Sequence, residues 1–197
     1  MRLDAMRLLL VGGATLWLVA CGRTPEEART TSAAGRILPK SGEVWSRDLA
    51  DGLDLHTWEL CRELGEVDCV TEAHLITLGG VEPTRLGIDE PLAEPSISAP
   101  IAFDRVAMAA CAERYTRDVA GPAVVFGSVI DKDGTRARRE VTTRLVQRLL
   151  GRNPTRDETD ALLALGPELE AISSDPVRDW SIGACVIVAT SLEALFY

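Results

Sequence analysis

The sequence predicts a mainly α protein: one helical, bundle-like domain over residues 43–197 that carries a long proline-rich loop. Apolar residues recur at helical spacing in the C-terminal third, for example at Val141, Leu145 and Leu149. Capping residues, glycines and prolines mark the expected ends of the helices. At 197 residues, the chain is long enough for a single domain with a substantial core.

The N-terminal half of this domain predicts two helices separated by a loop. The first spans residues 43–64 with a break at Gly52, and the second spans residues 101–118. Residues 79–100 predict an irregular loop, because no long regular element tolerates so many closely spaced prolines. These prolines are Pro83, Pro91, Pro95 and Pro100. Loops of this length are commonly functional or laid across a domain.

The C-terminal third predicts helices with clearer boundaries. A helix over residues 135–150 is expected to end at Gly151, a favourable C-terminal cap. Thr155 and Glu158 have the spacing of a capping box, which predicts that the next helix begins there. The Gly166-Pro167 pair is expected to break this helix and to leave only a short helical piece after it.

The last predicted helix runs from Asp175 to near Phe196, with Pro176 in its first turn. Its middle, residues 182–189, is apolar on all sides, which predicts a central position in the bundle. This apolar run is too short to span a membrane. Residues 124–130 form a shorter apolar run that fits either a strand or a helix.

The N-terminal segment has the pattern of a bacterial export signal. Arg2 and Arg7 give it a positive start, and an apolar run follows over residues 8–20. A transmembrane helix needs about 20 apolar residues, so this run is too short for one and is typical of a signal peptide. An uncleaved anchor, or an ordinary signal peptide with a chance cysteine, stays open as an alternative.

Residues 18–21 read Leu-Val-Ala-Cys and resemble the bacterial lipobox: an aliphatic residue, a free position, a small residue and a cysteine. In lipoproteins with this motif, the chain is cut before the cysteine, whose sulfur carries a diacylglycerol and whose amino group is usually acylated, typically with palmitate. The resemblance implies a signal peptide over residues 1–20 and lipidation at Cys21. It also implies a place at the outer membrane or the periplasmic face of a membrane, since several acyl chains anchor a protein stably.

After the cysteine, residues 21–42 lack apolar periodicity and predict a flexible tether. The whole chain has a formal charge of −9, and residues 1–20 carry +1, which leaves −10 after cleavage. Such an acidic protein is not expected to bind nucleic acid or anionic lipid as its main partner. The membrane is therefore expected to be a partner through the lipid on Cys21.

Four cysteines remain in the domain: Cys61, Cys69, Cys111 and Cys185. Export places them in an oxidising compartment, so an even number predicts two disulfides. Cys61 and Cys69 flank an expected turn, which favours a Cys61–Cys69 bond together with a Cys111–Cys185 bond. The other two connectivities, and a buried free thiol at Cys185, stay open.

Other patterns that could carry chemistry are weak. Cys61, Cys69 and His74 are zinc-type ligands, but their spacing matches no standard zinc finger. The chain has no Cys-x-x-Cys-His motif for covalent haem. Its two histidines, His56 and His74, are not accompanied by a Gly-x-Ser-x-Gly nucleophile motif. We therefore predict no metal, no cofactor and no catalytic residue.

Two charged stretches allow a functional and a simpler interpretation. Asp89, Glu90 and Glu94, in the proline-rich loop, fit either a calcium or acid–base site or an ordinary solvated loop, and the loop is favoured. A basic stretch in the C-terminal third comprises Arg136, Arg138, Arg139, Arg144, Arg148, Arg152 and Arg156. It fits either a docking site for an acidic partner or lipid headgroups, or a solvated helix face with internal ion pairs, which is favoured.

The C-terminal third resembles the closing segment of exported bacterial families of unknown function. Residues 145–158 (LVQRLLGRNPTRDE), Trp180 and residues 184–197 (ACVIVATSLEALFY) carry the likeness, and residues 100–114 are similar in kind. Those families accompany planctomycete-type cytochromes and occur among myxobacterial lipoproteins. The resemblance implies an exported, mostly helical module that works beside a secreted or redox partner, and it assigns no catalytic residues.

The expected function is therefore that of a lipid-anchored accessory module in the bacterial cell envelope, which acts by binding. Its expected partners are the membrane, through Cys21, and an exported protein. The alternative is an enzyme or an electron-transfer accessory protein whose site lies in the loop over residues 79–100.

Overall fold

A computed structural model describes residues 38–92 and 96–197, which belong to one compact unit, Arg36–Tyr197. The fold is mainly α, as predicted. Its helices are α1 (Gly42–Leu53), α2 (Ala99–Ala120), α3 (Gly127–Asp131), α4 (Thr135–Leu150), α5 (Arg156–Ile172), α6 (Pro176–Ala189) and α7 (Leu192–Leu195). The predicted signal peptide and lipidation site at Cys21 lie outside the described residues.

Helix α6 lies at the centre of the bundle, as its apolar sequence predicts, and packs against α2, α4 and α5. Two buried tryptophans tie it to its neighbours. The indole N–H of Trp180 donates to the carbonyl of Leu162 on α5 at 2.9 Å. The indole N–H of Trp45 on α1 donates to the carbonyl of Ala189 at 3.0 Å. Each tryptophan therefore buries a large apolar ring with its polar group satisfied.

Helix α1 continues through Gly52 and ends at Leu53, one residue after the predicted break. The prediction that the helix resumes and runs to residue 64 is wrong, because residues 54–64 form no α-helix. A Cβ at Gly52 would lie 2.5 Å from a methyl carbon of Leu149 on α4. The glycine therefore allows two helices to approach closely. The Nε of Arg148 then donates to the Gly52 carbonyl at 2.6 Å, which satisfies one of the free carbonyls at the end of α1.

The predicted break at Gly166-Pro167 is also wrong, because α5 runs without interruption over Arg156–Ile172. Its capping box at Thr155 and Glu158 is present as predicted. The space that a side chain at Gly166 would fill is occupied by the guanidinium of Arg138 on α4. Tertiary packing therefore overrides the local helix-breaking signal.

The final helix is shorter than predicted. Asp175 caps its start by accepting from the backbone N–H of Arg178 at 3.2 Å. Helix α6 ends at Ala189, well before Phe196. The hydroxyl of Ser191 then accepts from the N–H of Ala194 and begins the separate helix α7. The ambiguous run over residues 124–130 is helical at its end, in α3.

The predicted boundary of the tether at residue 42 lies too late in the chain. Pro39 forms an isolated antiparallel bridge with Phe196. On either side of it, the N–H of Lys40 donates to the carbonyl of Leu195 at 2.8 Å, and the N–H of Tyr197 donates to the carbonyl of Leu38 at 2.9 Å. The folded body therefore includes residues 38–42.

A buried ion pair joins α2 to the connections around it. The guanidinium of Arg114 lies 2.8 Å from the carboxylate of Asp118 and also donates to the carbonyls of Leu53 and Asp54, at the end of α1. The Asp118 carboxylate accepts from three successive backbone N–H groups, residues 124–126, at 2.7–2.8 Å. Each charge is thus paired and hydrogen-bonded, as burial requires.

In the segment between α1 and α2, the described residues form short elements and irregular chain. A 3-10 turn, Thr57–Glu59, leads to a small hairpin of β1 (Arg62–Glu63) and β2 (Val67–Asp68). One π-helical turn, Cys69–Ala73, follows, with the Asp68 carboxylate as its cap. From residue 79, the described chain is irregular, as the prolines predict. Among the described residues, no helix is both long and apolar enough to cross a bilayer.

Candidate functional site

The structure contains both disulfides of the favoured pairing. Cys61–Cys69 closes the hairpin, with a Cα–Cα distance of 5.5 Å, and Cys111–Cys185 joins α2 to α6, with a Cα–Cα distance of 6.0 Å. The metal alternative loses two of its three ligands, because the sulfurs of Cys61 and Cys69 are bonded to each other. The third residue, His74, lies with its Nε2 3.2 Å from a Glu63 carboxylate oxygen.

The other histidine, His56, lies at the surface and stacks against the ring of Trp58. The two ring centroids are 4.0 Å apart and the planes are nearly parallel, at 8°. Within the described ranges, neither His56 nor His74 forms a side-chain hydrogen bond to a serine, threonine or cysteine. The described residues therefore bring no nucleophile to either histidine.

The basic stretch is largely paired within the fold, as favoured from the sequence. The pairs are Arg136–Glu140, Arg138–Asp133, Arg138–Glu170, Arg139–Asp160, Arg152–Glu158, Arg152–Glu193 and Arg156–Asp160. Arg138 departs from the prediction of a solvated face, because it is buried and also lies over the Trp180 ring. Hydrogen bonding to Asp133 raises the pKa of Arg138, so its charge is a fixed part of the bundle.

An apolar cleft lies where the segment between α1 and α2 passes the N-terminal ends of both helices. Its volume is about 230 Å³. It is lined by Pro39, Lys40, Ser41, Thr77, Leu78, Gly79, Pro91, Leu92, Ser96, Ala99 and Phe103. Among the described residues, the polar side chains of this lining carry one ammonium and several hydroxyls but no carboxylate. The cleft therefore combines apolar walls with hydrogen-bond donors.

A second cavity, of about 290 Å³, adjoins the cleft. The two share the lining residues Ser41, Leu78, Gly79 and Pro91. The second cavity extends past Val70 and Leu75, in the turns that follow the hairpin. Ligand sites in proteins typically measure about 300–1,000 Å³. The second cavity lies close to the lower end of this range, and the first is somewhat smaller.

The wall between the two cavities is fixed by a close backbone contact. The N–H of Gly42, in the first turn of α1, donates to the carbonyl of Leu78 at 2.7 Å. A Cβ at Gly42 would collide with the Leu78 side chain, so only glycine allows this approach. On the opposite side, the ring of Phe103 meets Trp45 edge to face, with centroids 4.8 Å apart. The cleft is thus built directly on the core.

The single cation of the cleft lining is Lys40. Its Nζ lies 2.8 Å from a carboxylate oxygen of Asp48 and 5.6 Å from the centroid of the Tyr197 ring. Its side chain is 16% exposed. The ammonium of this lining residue is thus held in place by neighbouring side chains while part of the side chain still faces solvent.

Exposed apolar side chains are concentrated along the same segment. Val81, Leu86, Leu92, Ile97 and Ile101 all expose more than a third of their surface, and Ile97 is 99% exposed. Leu92 and Val81 line the two cavities, and the others flank them in the chain. Concentrations of exposed apolar surface often mark interaction sites.

Two of the three acidic residues of the proline-rich loop, Asp89 and Glu90, are exposed and line neither cavity. The third, Glu94, lies outside the described residues. Part of the loop over residues 79–100, including Pro91 and Leu92, lines the cleft. Sequence analysis did not identify Lys40 or Phe103 as lining residues, because neither belongs to a local sequence pattern that marks a ligand site.

No family model, curated protein or solved structure gives a significant match to this chain.

Proposed function

We propose that this protein is an exported lipoprotein that acts by binding, with Cys21 as its lipid anchor at the bacterial envelope. The lipobox-like residues 18–21 support the anchor. The two disulfides support an oxidising compartment, since such bonds are rare in the reducing cytosol. Residues 21–37 then act as the tether that leaves the body free to reach its ligand.

The apolar cleft is the main observation in support of a binding function. Its walls suit an unbranched aliphatic chain, because aliphatic groups bury their surface against residues such as Leu78, Leu92 and Phe103. Lys40, which also pairs with Asp48, and the hydroxyls of the lining can each donate a hydrogen bond to an anionic head group. The proposed ligand class is therefore a linear aliphatic chain that ends in a carboxylate or a similar anion.

Chain length gives the sharpest test of this ligand class. Each buried methylene contributes about 0.8 kcal/mol, which is about a fourfold gain in affinity. In calorimetric titrations of the mature chain bearing Cys21→Ser, the affinity should therefore increase from hexanoate to octanoate and again from octanoate to decanoate. Decyltrimethylammonium should bind more weakly than decanoate, because its cation faces Lys40. The proposal is contradicted if affinity does not increase with chain length, or if decyltrimethylammonium binds more tightly than decanoate.

A matched pair of variants tests whether the ligand binds in the cleft. Leu92→Glu adds a charge to the cleft wall. It should weaken decanoate binding by at least about tenfold, because the bound chain would remove that carboxylate from water and the ligand carboxylate would repel it. Ile172→Glu makes the same kind of change at the exposed end of α5 and should leave binding unchanged. Equal effects of the two variants would place the ligand elsewhere. Chemical conversion of a bound ligand would favour the enzymatic alternative.

The anchor has its own test. Cells fed an alkyne-labelled palmitate should yield a labelled protein whose N-terminal peptide begins at an acylated Cys21 in mass spectrometry. Cys21→Ser should lose the label and retain residues 1–20. An unlabelled mature protein that begins at another residue would rule out the anchor and leave the cleft proposal standing.

A further inference from the structure

The tip of the disulfide-closed hairpin has an unusual backbone. The N–H of Glu66 donates to the carbonyl of Glu63 at 3.0 Å, and both central residues of this turn have positive φ: Leu64 at 54° and Gly65 at 77°. This combination defines a type I′ turn, in which the first central position is usually Asn, Asp or Gly. A leucine at this position is strained, because its Cβ crowds the backbone.

The side chain of Leu64 is also 96% exposed, so packing within the fold does not offset the strain. Asp54 provides a contrast, since it has the same φ of 54° at the end of α1. There the left-handed conformation terminates a helix, and aspartate tolerates it. At Leu64, neither helix termination nor burial accounts for the residue. Strained residues that the surrounding structure holds in place are often found at sites of function.

The base of the hairpin holds this tip in one orientation. The Arg62 guanidinium donates to the carbonyl of Glu66 across the turn. The Glu63 carboxylate forms an ion pair with Arg105 on α2 and accepts from His74 at 3.2 Å. Arg105, with His74 contributing, holds the pKa of Glu63 below its ordinary value, so this link to α2 is ionised at neutral pH. Together with the Cys61–Cys69 bond, these contacts preorganise the tip for binding.

We propose that Leu64 is the anchor residue of a protein–protein contact and inserts into an apolar pocket, with a cationic rim, on a partner in the same compartment. The cationic rim is inferred from Glu66, an exposed carboxylate beside Leu64 with no ion pair among the described residues. A bilayer fits less well, because the Glu66 carboxylate repels anionic headgroups and one leucine buries little surface. This contact is separate from the cleft and does not depend on its ligand.

Photo-crosslinking tests the contact in the full chain. Cells that produce the protein would carry p-benzoylphenylalanine at position 64, with the same probe at the exposed position 172 as a control. The expected result is one protein adduct from position 64 that is absent from position 172. Mass spectrometry of the adduct should place the crosslink among apolar residues of the partner, with lysine or arginine nearby.

The amount of crosslinked adduct should also depend on the negative charge of Glu66. Adding Glu66→Lys to the position-64 probe should reduce the adduct at least fivefold, whereas Glu72→Lys, an exposed charge in the next turn, should leave it unchanged. Circular dichroism checks that each variant is folded. A lipid adduct, an adduct equal to that from position 172, or an adduct insensitive to Glu66→Lys would each overturn the proposal.

Discussion

The bundle formed by residues 99–197 and the segment over residues 54–98 are held together in different ways. In the bundle, buried charges pair with one another, as the Arg114 guanidinium does with the Asp118 carboxylate at 2.8 Å. In the segment, a disulfide, local caps and turns hold short elements that expose residues such as Leu64 and Ile97. The bundle therefore supplies most of the stability, and the segment presents the surfaces suited to recognition.

The two disulfides should differ in their contribution to stability, because they close loops of very different length. The bond between Cys111 and Cys185 spans 74 residues, and the bond between Cys61 and Cys69 spans 8. Loop-closure entropy predicts losses of about 4.5 and about 2.6 kcal/mol when each pair is replaced by alanine. Urea unfolding measures both. An equal loss, or a larger one for the hairpin, would contradict this division between bundle and segment.

The next largest effect is expected at the buried ion pair of the bundle. Asp118→Ala removes the partner of Arg114 and the acceptor for three backbone N–H groups, at a site that is 3% exposed. Breaking a buried pair in this way costs about 4 kcal/mol. Asp160→Ala, which removes a half-exposed partner of Arg156, should cost less than about 1 kcal/mol. If urea unfolding shows comparable losses of stability for the two variants, the buried contacts of Asp118 do not contribute more than an exposed ion pair.

Two helical glycines should respond in opposite directions. Gly166→Ala places a methyl group where the Arg138 guanidinium lies, so we expect a loss of about 2 kcal/mol from overpacking and disturbed ion pairs. Gly183 on α6 faces open space, so Gly183→Ala should raise stability by about 0.8 kcal/mol through helix propensity. Thermal unfolding of both variants checks the signs. A stabilising Gly166→Ala would refute the packing role of this glycine.

A change at the hairpin tip should stabilise the protein. Leu64→Asn keeps the positive φ of 54° with a residue that tolerates it, so we expect a gain of about 1 kcal/mol. Ile97→Asn is the control, because it also removes an exposed apolar side chain but from a residue without positive φ. It should change stability by less than about 0.5 kcal/mol. If Leu64→Asn does not raise stability, the inference that the backbone at the tip is strained is wrong.

The smallest effect is a pH dependence at the start of α5. Hydrogen bonds from Arg152 and from the backbone of Thr155 lower the pKa of Glu158 from its ordinary value of 4.5 to about 2. A lowered folded-state pKa stabilises the fold above the unfolded value, so this contribution is lost as the pH falls from about 4.5 towards 2. Between these values, Glu158→Gln should therefore lose less stability than the wild type. Parallel acid-unfolding curves would contradict this assignment.

Local patterns in the sequence predict the bundle well and the site poorly. Helix α4 with its cap at Gly151, the capping box at Thr155 and the central α6 follow from periodicity and capping chemistry. The predicted break at Gly166-Pro167 is absent, and α1 continues through Gly52 to end one residue later. Both glycines form close contacts with α4, which local sequence does not encode.

The cleft and the strained tip depend on still longer-range information. Lys40 and Phe103 meet at the cleft through the packing of α1 against α2, although they are far apart in the chain. The favoured pairing of Cys61 with Cys69 locates the hairpin, but not the left-handed backbone at Leu64. Proline content identifies the loop from residue 79, and only the fold shows that its apolar residues line a cavity.

Amide hydrogen exchange with and without decanoate tests the central division between a stable bundle and a binding segment most directly. On ligand addition, exchange should slow in residues 39–42 and 75–103, around the cleft, and stay unchanged in α4 and α5. Protection centred on α4 or α5, or no protection at a concentration at which decanoate saturates the protein, would contradict this division.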